Sequence, residues 1–513
     1  NIFDSYIIYM HRLLLISSFL IASFVYSQNP TVYAEDITAK ELKSMLTIYA
    51  SDTFQGREAG TEGEQMAVEY LRNEYQKLGV SAAKQDGDYF QYVPLKLNTP
   101  PKVNISIESQ NFSYYQDFIS VSSGPTKNMH FESYIYIGYG IKDTKHNDYK
   151  NIDVSGKLVV AIAGEPKNAE GNYVISGSNK ISKWSNDRQS LRAKQNLAKE
   201  MGAAAFTLID ESLFMRYAPY YKRKDQSEGE TNLSLDVNSN PFYGFLVGDN
   251  IGNSLIQKKN GLYYNDIQID YKNTYESLVS ENVVALIPGS EKPNEYIVIS
   301  AHLDHIGIHH GAVFNGADDD GSGTVAILEI AEAFQKAVQN GDGPKRSILL
   351  LHVSAEEKGL LGSQYYTDFD PIVPLKNTVA NLNIDMIGRT DPKRKNGKRN
   401  YIYLIGSDKL STELHEISEM VNEKYTGIEL DYTFNDENDP NRFYYRSDHY
   451  NFANKNIPII FYFNGTHEDY HKATDTVDKI EFDLLENRTK LVFYTAWELA
   501  NRKERVVVDK KFK

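Results

Sequence analysis

From residue 282 onward, short apolar runs alternate with helical stretches, and polar residues collect where the runs stop. The runs are NVVALIPG from Asn282, EYIVISAH from Glu295, RSILLLHVSA from Arg346, TVANLNIDM from Thr378, YIYLIG from Tyr401 and IPIIFYF from Ile457. They are mostly β-rich, the kind of run buried on both faces. Residues 322–338, 359–369, 410–424 and 484–501 read as helices between or after them. This order predicts an α/β fold: a mixed, mostly parallel central sheet flanked by helices.

In open α/β sheets, ligands bind beyond the carboxyl ends of the strands. Five loops at such ends carry Asp, Glu or His. His302 ends one run; Glu356 and Glu357 follow the next; Asp385 follows the third. Arg446-Ser-Asp-His449 lies near the C-terminus, and His467, Glu468, Tyr470, His471 and Asp475 come after the last run. Asp318, Asp319 and Asp320 stand in a glycine-rich turn ahead of an amphipathic helix. Alone, that triplet fits two readings, a capped helix start or a cation site. The other four loops favour the cation, because buried acids without one cost several kcal/mol each. A mixed nitrogen and oxygen donor set suits Zn²⁺ and leaves Co²⁺ or Mn²⁺ open.

The remainder of the chain narrows the class. Its 513 residues suffice for two or more domains, and a net charge of -14 argues against a nucleic-acid partner. With no cysteine, disulfides, thiol catalysis, thiolate metal sites and lipid attachment through cysteine are excluded. Residues 10–28 have the basic start, apolar middle and small-residue end of an export signal, too short for a membrane span. Cleavage is expected after Ser27, residues 1–9 read as translated upstream sequence, and the expected location is secreted or periplasmic. The mature chain is expected to be soluble, without stable membrane insertion. Residues 35–80 read as two helices joined by the polar loop 51–63, taken equally as a connector. Strand-like runs at Tyr134, Lys157, Ala203 and Tyr243, with helices from Ser190 and Asn250, suggest a β-rich insertion at 126–272.

AHLDH, NGADDDGSG, SAEEKGLLGS, NIDMIG and EDYHKATDT, in this order, closely resemble the co-catalytic di-zinc aminopeptidases of the M28 peptidase family. The resemblance spans about 28–125 and 273–513. GYGIKDTKHNDYKNIDVSGKLVVAIAGEP and LRAKQNLAKEMGAAAFTLI resemble a protease-associated (PA) domain more loosely, within 126–272. The resemblance implies two Zn²⁺ per chain, held by His302, Asp319, Glu357, Asp385 and His471. Asp319 is implied as the bridge, by its place four residues before Gly323, with a cis peptide to Asp320. Asp318 is the least committed of the three.

Asp304 is then expected to orient the His302 imidazole. Glu356 is expected to act as general base, taking a proton from the water between the metals and passing it to the departing amine. His305, His309 and His310 are expected as exposed loop histidines, and His449 as a support. Tyr470 and Tyr445 are candidates for hydrogen bonding to the substrate carbonyl, and Asp475 for buttressing His471. The function implied is an exopeptidase removing N-terminal residues from peptides. Carboxypeptidase or dipeptidase action, a one-zinc glutaminyl cyclase and a catalytically dead receptor-like protein are the alternatives.

Overall fold

The computed structural model describes residues 29–511, apart from 123, 227–231, 238–240 and 396. The expected export signal at 10–28 lies outside the described residues. Two compact units divide the chain, one from residues 1–93 with 280–513 and one from 94–279.

The first unit begins with α1 (Ala39–Tyr49) and α2 (Glu62–Leu78). Thr38 caps α1 by accepting from the Glu41 amide, and α2 ends at Gly79, whose φ of 72° suits a residue without a Cβ. The sheet that follows uses β1 (Tyr275–Ile287), β2 (Lys292–His302), β3 (Arg346–Val353), β4 (Thr378–Ile384), β5 (Tyr401–Ile405), β6 (Glu429–Asp431) and β7 (Ile459–Phe463). These strands are ordered β6-β5-β7-β4-β2-β3-β1. β3, β2, β4 and β7 run parallel, while β1 and β5 pair antiparallel with β3 and β7.

Burial explains why these runs became strands. Every residue of β3, β4, β5 and β7 is buried. The connecting helices α3 (Gly323–Gln339), α4 (Leu361–Asp368) and α5 (Thr412–Val421), and the terminal α6 (Phe482–Asn501), supply the cover. Phe334 of α3 packs on Phe493 and Trp497 of α6. The mixed, mostly parallel sheet is therefore as expected from the strand-length runs. At its carboxyl edge, four adjacent parallel strands deliver their following loops side by side.

The second unit has an eight-stranded sheet that contains four adjacent parallel strands, Lys127–Tyr136, Leu158–Ile162, Ala205–Ile209 and Tyr243–Val247. It begins at Pro94, where the sequence suggested 126. Lys102–Ile107 and Phe118–Ser120 are the reason, since they pair with Gly261–Lys272 and Tyr243–Val247 of the same sheet. A helix at Glu211–Gln226 was not expected, because its polar end and internal Pro219 argue against one. Among the described residues no helix is long and apolar enough to cross a membrane.

Candidate metal centre

The loops after β2, β3, β4 and β7 bring the five expected donors together. His302 Nε2 stands 3.2 Å from Asp319 Oδ1 and 3.7 Å from Asp385 Oδ1. His471 Nε2 stands 3.2 Å from Asp319 Oδ2 and 3.2 Å from Glu357 Oε2. The two oxygens of Asp319 thus face two different clusters. A bridging carboxylate has this arrangement.

The donor set fits cations on independent grounds. His302 Nε2, Asp319 Oδ2 and Glu357 Oε1 are buried polar atoms with no hydrogen-bond partner. Leaving such a group unsatisfied costs about 1–3 kcal/mol, more if it is charged. The groups also act on one another. Burial pushes the Asp319 carboxyl up, but His302 and His471 hold it well below the usual range. Burial and the Asp319 charge act upward on Glu357, and the imidazoles of His305 and His471 bring it down to about 2. Burial opposes protonation of His471, yet Asp319 and Glu357 raise it to about 10.

The three consecutive aspartates have three separate duties. Asp319 faces the donor clusters. The Asp319-Asp320 peptide is cis. Asp320 accepts from the amides of His302, Gly323 and Met386, tying the start of α3 to two strand ends. Asp318 accepts from the Gly388 amide at 2.7 Å and lies 3.2 Å from His467 Nε2. The capped-helix reading therefore describes Asp320, and the cation reading describes Asp319.

Two supporting roles differ from the sequence expectation. His302 Nδ1 donates to the main-chain carbonyl of Asp304 at 3.0 Å, while the Asp304 carboxylate is 3.8 Å away. That carboxylate instead accepts from the Glu356 amide at 3.0 Å, so Asp304 holds the loop of Glu356 as well as the ring of His302. The tautomer with hydrogen on Nδ1 leaves Nε2 free to bind. Asp475 does not reach His471; it accepts from the amides of Asp318 and Asp319 and so clamps the bridging turn from behind.

Glu356 stands beside the donors without joining either cluster. Burial pushes its carboxyl well above the ordinary range, against the pull of His302, and the charges of Asp385, Glu357 and Asp448 add to the rise. His449 is buried behind Phe461, stacked at 4.6 Å, and its Nε2 donates to the Tyr444 carbonyl. Tyr470 stacks on His471 with centroids 3.9 Å apart, and its hydroxyl accepts from Arg446. Tyr445 is 38% exposed and packs on Tyr450, away from the donors. Beside Asp385 lies a hollow walled by Met386, Phe443, Phe461 and Phe463 and rimmed by Arg446 and Tyr470.

Two residues in the site were missed. His305, expected on the surface, is fully buried with Nδ1 2.8 Å from Glu357 Oε1. His309 and His310 do stay outside, half-buried and exposed. Arg57, from the loop taken equally as a connector, is also fully buried. It donates to the carbonyls of Leu303, Tyr49, Asn315 and Gly316, of which Leu303 follows His302 and Gly316 precedes the turn of residues 318–320. No local sequence signal separates His305 from its two neighbours. For Arg57 the only available hint is a cation inside a glycine-rich segment.

A model of the family described as Peptidase family M28 matches residues 282–496. Leucine aminopeptidase 1 of Coccidioides posadasii (strain C735) is 32% identical over 229 residues, 43% of this chain and 55% of that protein. Probable glutamate carboxypeptidase LAMP1 of Arabidopsis thaliana is 36% identical over 105 residues, 20% of this chain and 14% of that protein. The matches thus span about half, or much less, of these curated relatives. Among solved structures, an aminopeptidase from Aneurinibacillus sp. strain AM-1 aligns over 94% of this chain and 99% of its own, at 18% identity and a TM-score of 0.48.

Proposed function

Residues 282–496 match the model of Peptidase family M28, and on that premise we propose that the chain is a two-metal exopeptidase releasing N-terminal residues from peptides. The observation carrying this reading is Asp319, whose two oxygens face two donor clusters in which His302 Nε2, Asp319 Oδ2 and Glu357 Oε1 lack hydrogen-bond partners. His302 and Asp385 would hold one ion and Glu357 and His471 the other, with Asp319 shared. Bound there, Zn²⁺ or a related cation would supply Lewis acidity toward the scissile carbonyl and acidify the attacking water.

The chain's own groups do the rest. Glu356 is the carboxylate left unengaged by the clusters, and its protonation-prone setting suits a group that receives a proton from water and returns it to the departing amine. Asp304 fixes that base through the Glu356 amide. Tyr470, held by Arg446, is placed to donate toward the developing oxyanion.

The export reading of residues 10–28 supports action outside the cytoplasm, and the PA resemblance supports reading the second unit as a protease-associated insertion. The stretch shared with a probable glutamate carboxypeptidase favours release from the other peptide end as the second reading. Peptides blocked at one end or the other separate the two, and an intact N-blocked peptide beside a trimmed C-blocked one is expected. Glu356→Gln should retain the wild-type metal content while hydrolysis of leucyl-nitroanilide falls about 10²–10⁴-fold. A variant within threefold of wild type removes Glu356 from the role of base.

A further inference from the structure

We propose that His305 is a further metal-binding residue, its Nδ1 joining Asp319, Glu357 and His471 around one ion. That position would then have four protein donors, and the position of His302, Asp319 and Asp385 would have three. The inference rests on the two-ion reading above.

The ring is built into the site. Its side chain is fully buried, and neither nitrogen has a hydrogen-bond partner. The His305 amide donates to the Arg57 carbonyl at 3.2 Å, which fixes the backbone. Gly316, at φ 52°, makes room for the ring, since a Cβ there would come within 2.5 Å of His305 Cγ. Arg57 also donates to the Gly316 carbonyl, so one buried cation secures both sides of the seat.

Ion-sharing donors and hydrogen-bonded pairs overlap in separation, so distance and alignment are read together. Donors each about 2.0–2.2 Å from one ion stand about 2.8–3.6 Å apart when the angle between them is near 90–110°. His305 Nδ1 to Glu357 Oε1 is 2.8 Å, and His471 Nε2 is 3.2 Å from both Glu357 Oε2 and Asp319 Oδ2, while His305 Nδ1 to Asp319 Oδ2, at 3.9 Å, calls for a wider angle at the ion. His305 Nδ1 and Glu357 Oε1 are close enough for a hydrogen bond, yet neither atom has a well-aligned hydrogen-bond partner. A cation between them accounts for the approach and the orientation together. His305 Nδ1, an Asp319 oxygen and a Glu357 oxygen all lie within 4.8 Å of one another.

The test compares wild type, His305→Ala and His305→Asn as full-length proteins. Each is stripped of metal, checked for fold by circular dichroism and titrated with Zn²⁺ against a chromogenic chelator. Asn retains an N–H that can reach Glu357, but it is a poor metal donor. Both variants are expected to weaken one of two sites at least tenfold and leave the other within twofold. The visible absorption of the Co²⁺-loaded variants should shift relative to wild type. If His305→Asn keeps both wild-type affinities and the wild-type Co²⁺ spectrum, His305 is not a ligand and the proposal is overturned. Wild type binding fewer than two ions would instead overturn the two-ion reading beneath it.

Discussion

Both units place parallel strands side by side and send polar residues into the loops that follow, but only the first leaves those residues wanting. In the second unit Asp210 accepts from the Leu213 amide at the start of a helix, and Glu165 accepts from Ser182. The buried Lys194 donates to the carbonyls of Ile162 and Gly164. In the first unit His302, His305, Asp319 and Glu357 converge with buried atoms unmet. Among the described residues, every buried carboxylate or imidazole atom lacking a partner belongs to the first unit. A polar strand end is therefore weak evidence for a site. Unmet donors gathered at one point are much stronger.

The contrast can be broken by exchanging attention between equivalent residues. Asp319→Asn should reduce bound metal to one ion or fewer per chain and lower turnover at least about 10³-fold, since both proposed positions share that carboxylate. Asp210→Asn should leave metal content and turnover within twofold. Elemental analysis and steady-state rates on the same preparations check both, and equal effects would erase the distinction.

A smaller effect is expected from the buried cations. Arg57→Met removes donors to four carbonyls, and a loss of about 3 kcal/mol or more in urea unfolding should be accompanied by weaker metal binding. Lys194→Met leaves two carbonyls unmet and should cost about 1–3 kcal/mol with metal affinity unchanged. If Lys194→Met weakened metal binding as much as Arg57→Met, the seat assigned to Arg57 would lose its meaning.

The pH dependence sharpens the picture further. Glu64 is buried against Ser280 and Ser354, and burial raises its carboxyl to about 7. The folded chain then holds a proton that the unfolded chain has released above its lower pKa. This contribution to stability is complete at low pH and declines as pH rises from about 4.5 to 7. Glu64→Gln should flatten that window by up to about 3 kcal/mol. Parallel curves for variant and wild type across pH 5–7 would show that Glu64 titrates normally.

The first unit's sheet, and Asp319 with the four residues that converge beside it, were legible because chemistry-bearing residues follow directly after strand-length apolar runs. What escaped depended on distant partners. His305 looks like His309 and His310 in the sequence, and only Gly316 and the Arg57 carbonyl distinguish its seat. The acceptor for His302 Nδ1 is a peptide carbonyl, which a sequence cannot tell from the Asp304 side chain two atoms away. Asp475 serves amides 156 and 157 residues earlier rather than the neighbouring His471. The start of the second unit was misplaced for the same reason, since Lys102–Ile107 finds its partner strand at Gly261–Lys272.

The central claim is that Asp319 joins two cation positions, and a crystal structure of the Zn²⁺-loaded protein with anomalous scattering at the zinc edge tests it directly. The account predicts two zinc peaks per chain, each within about 2.2 Å of a different oxygen of Asp319, with His302 and Asp385 on one and Glu357 and His471 on the other. A single peak, or two peaks that do not share Asp319, would contradict it.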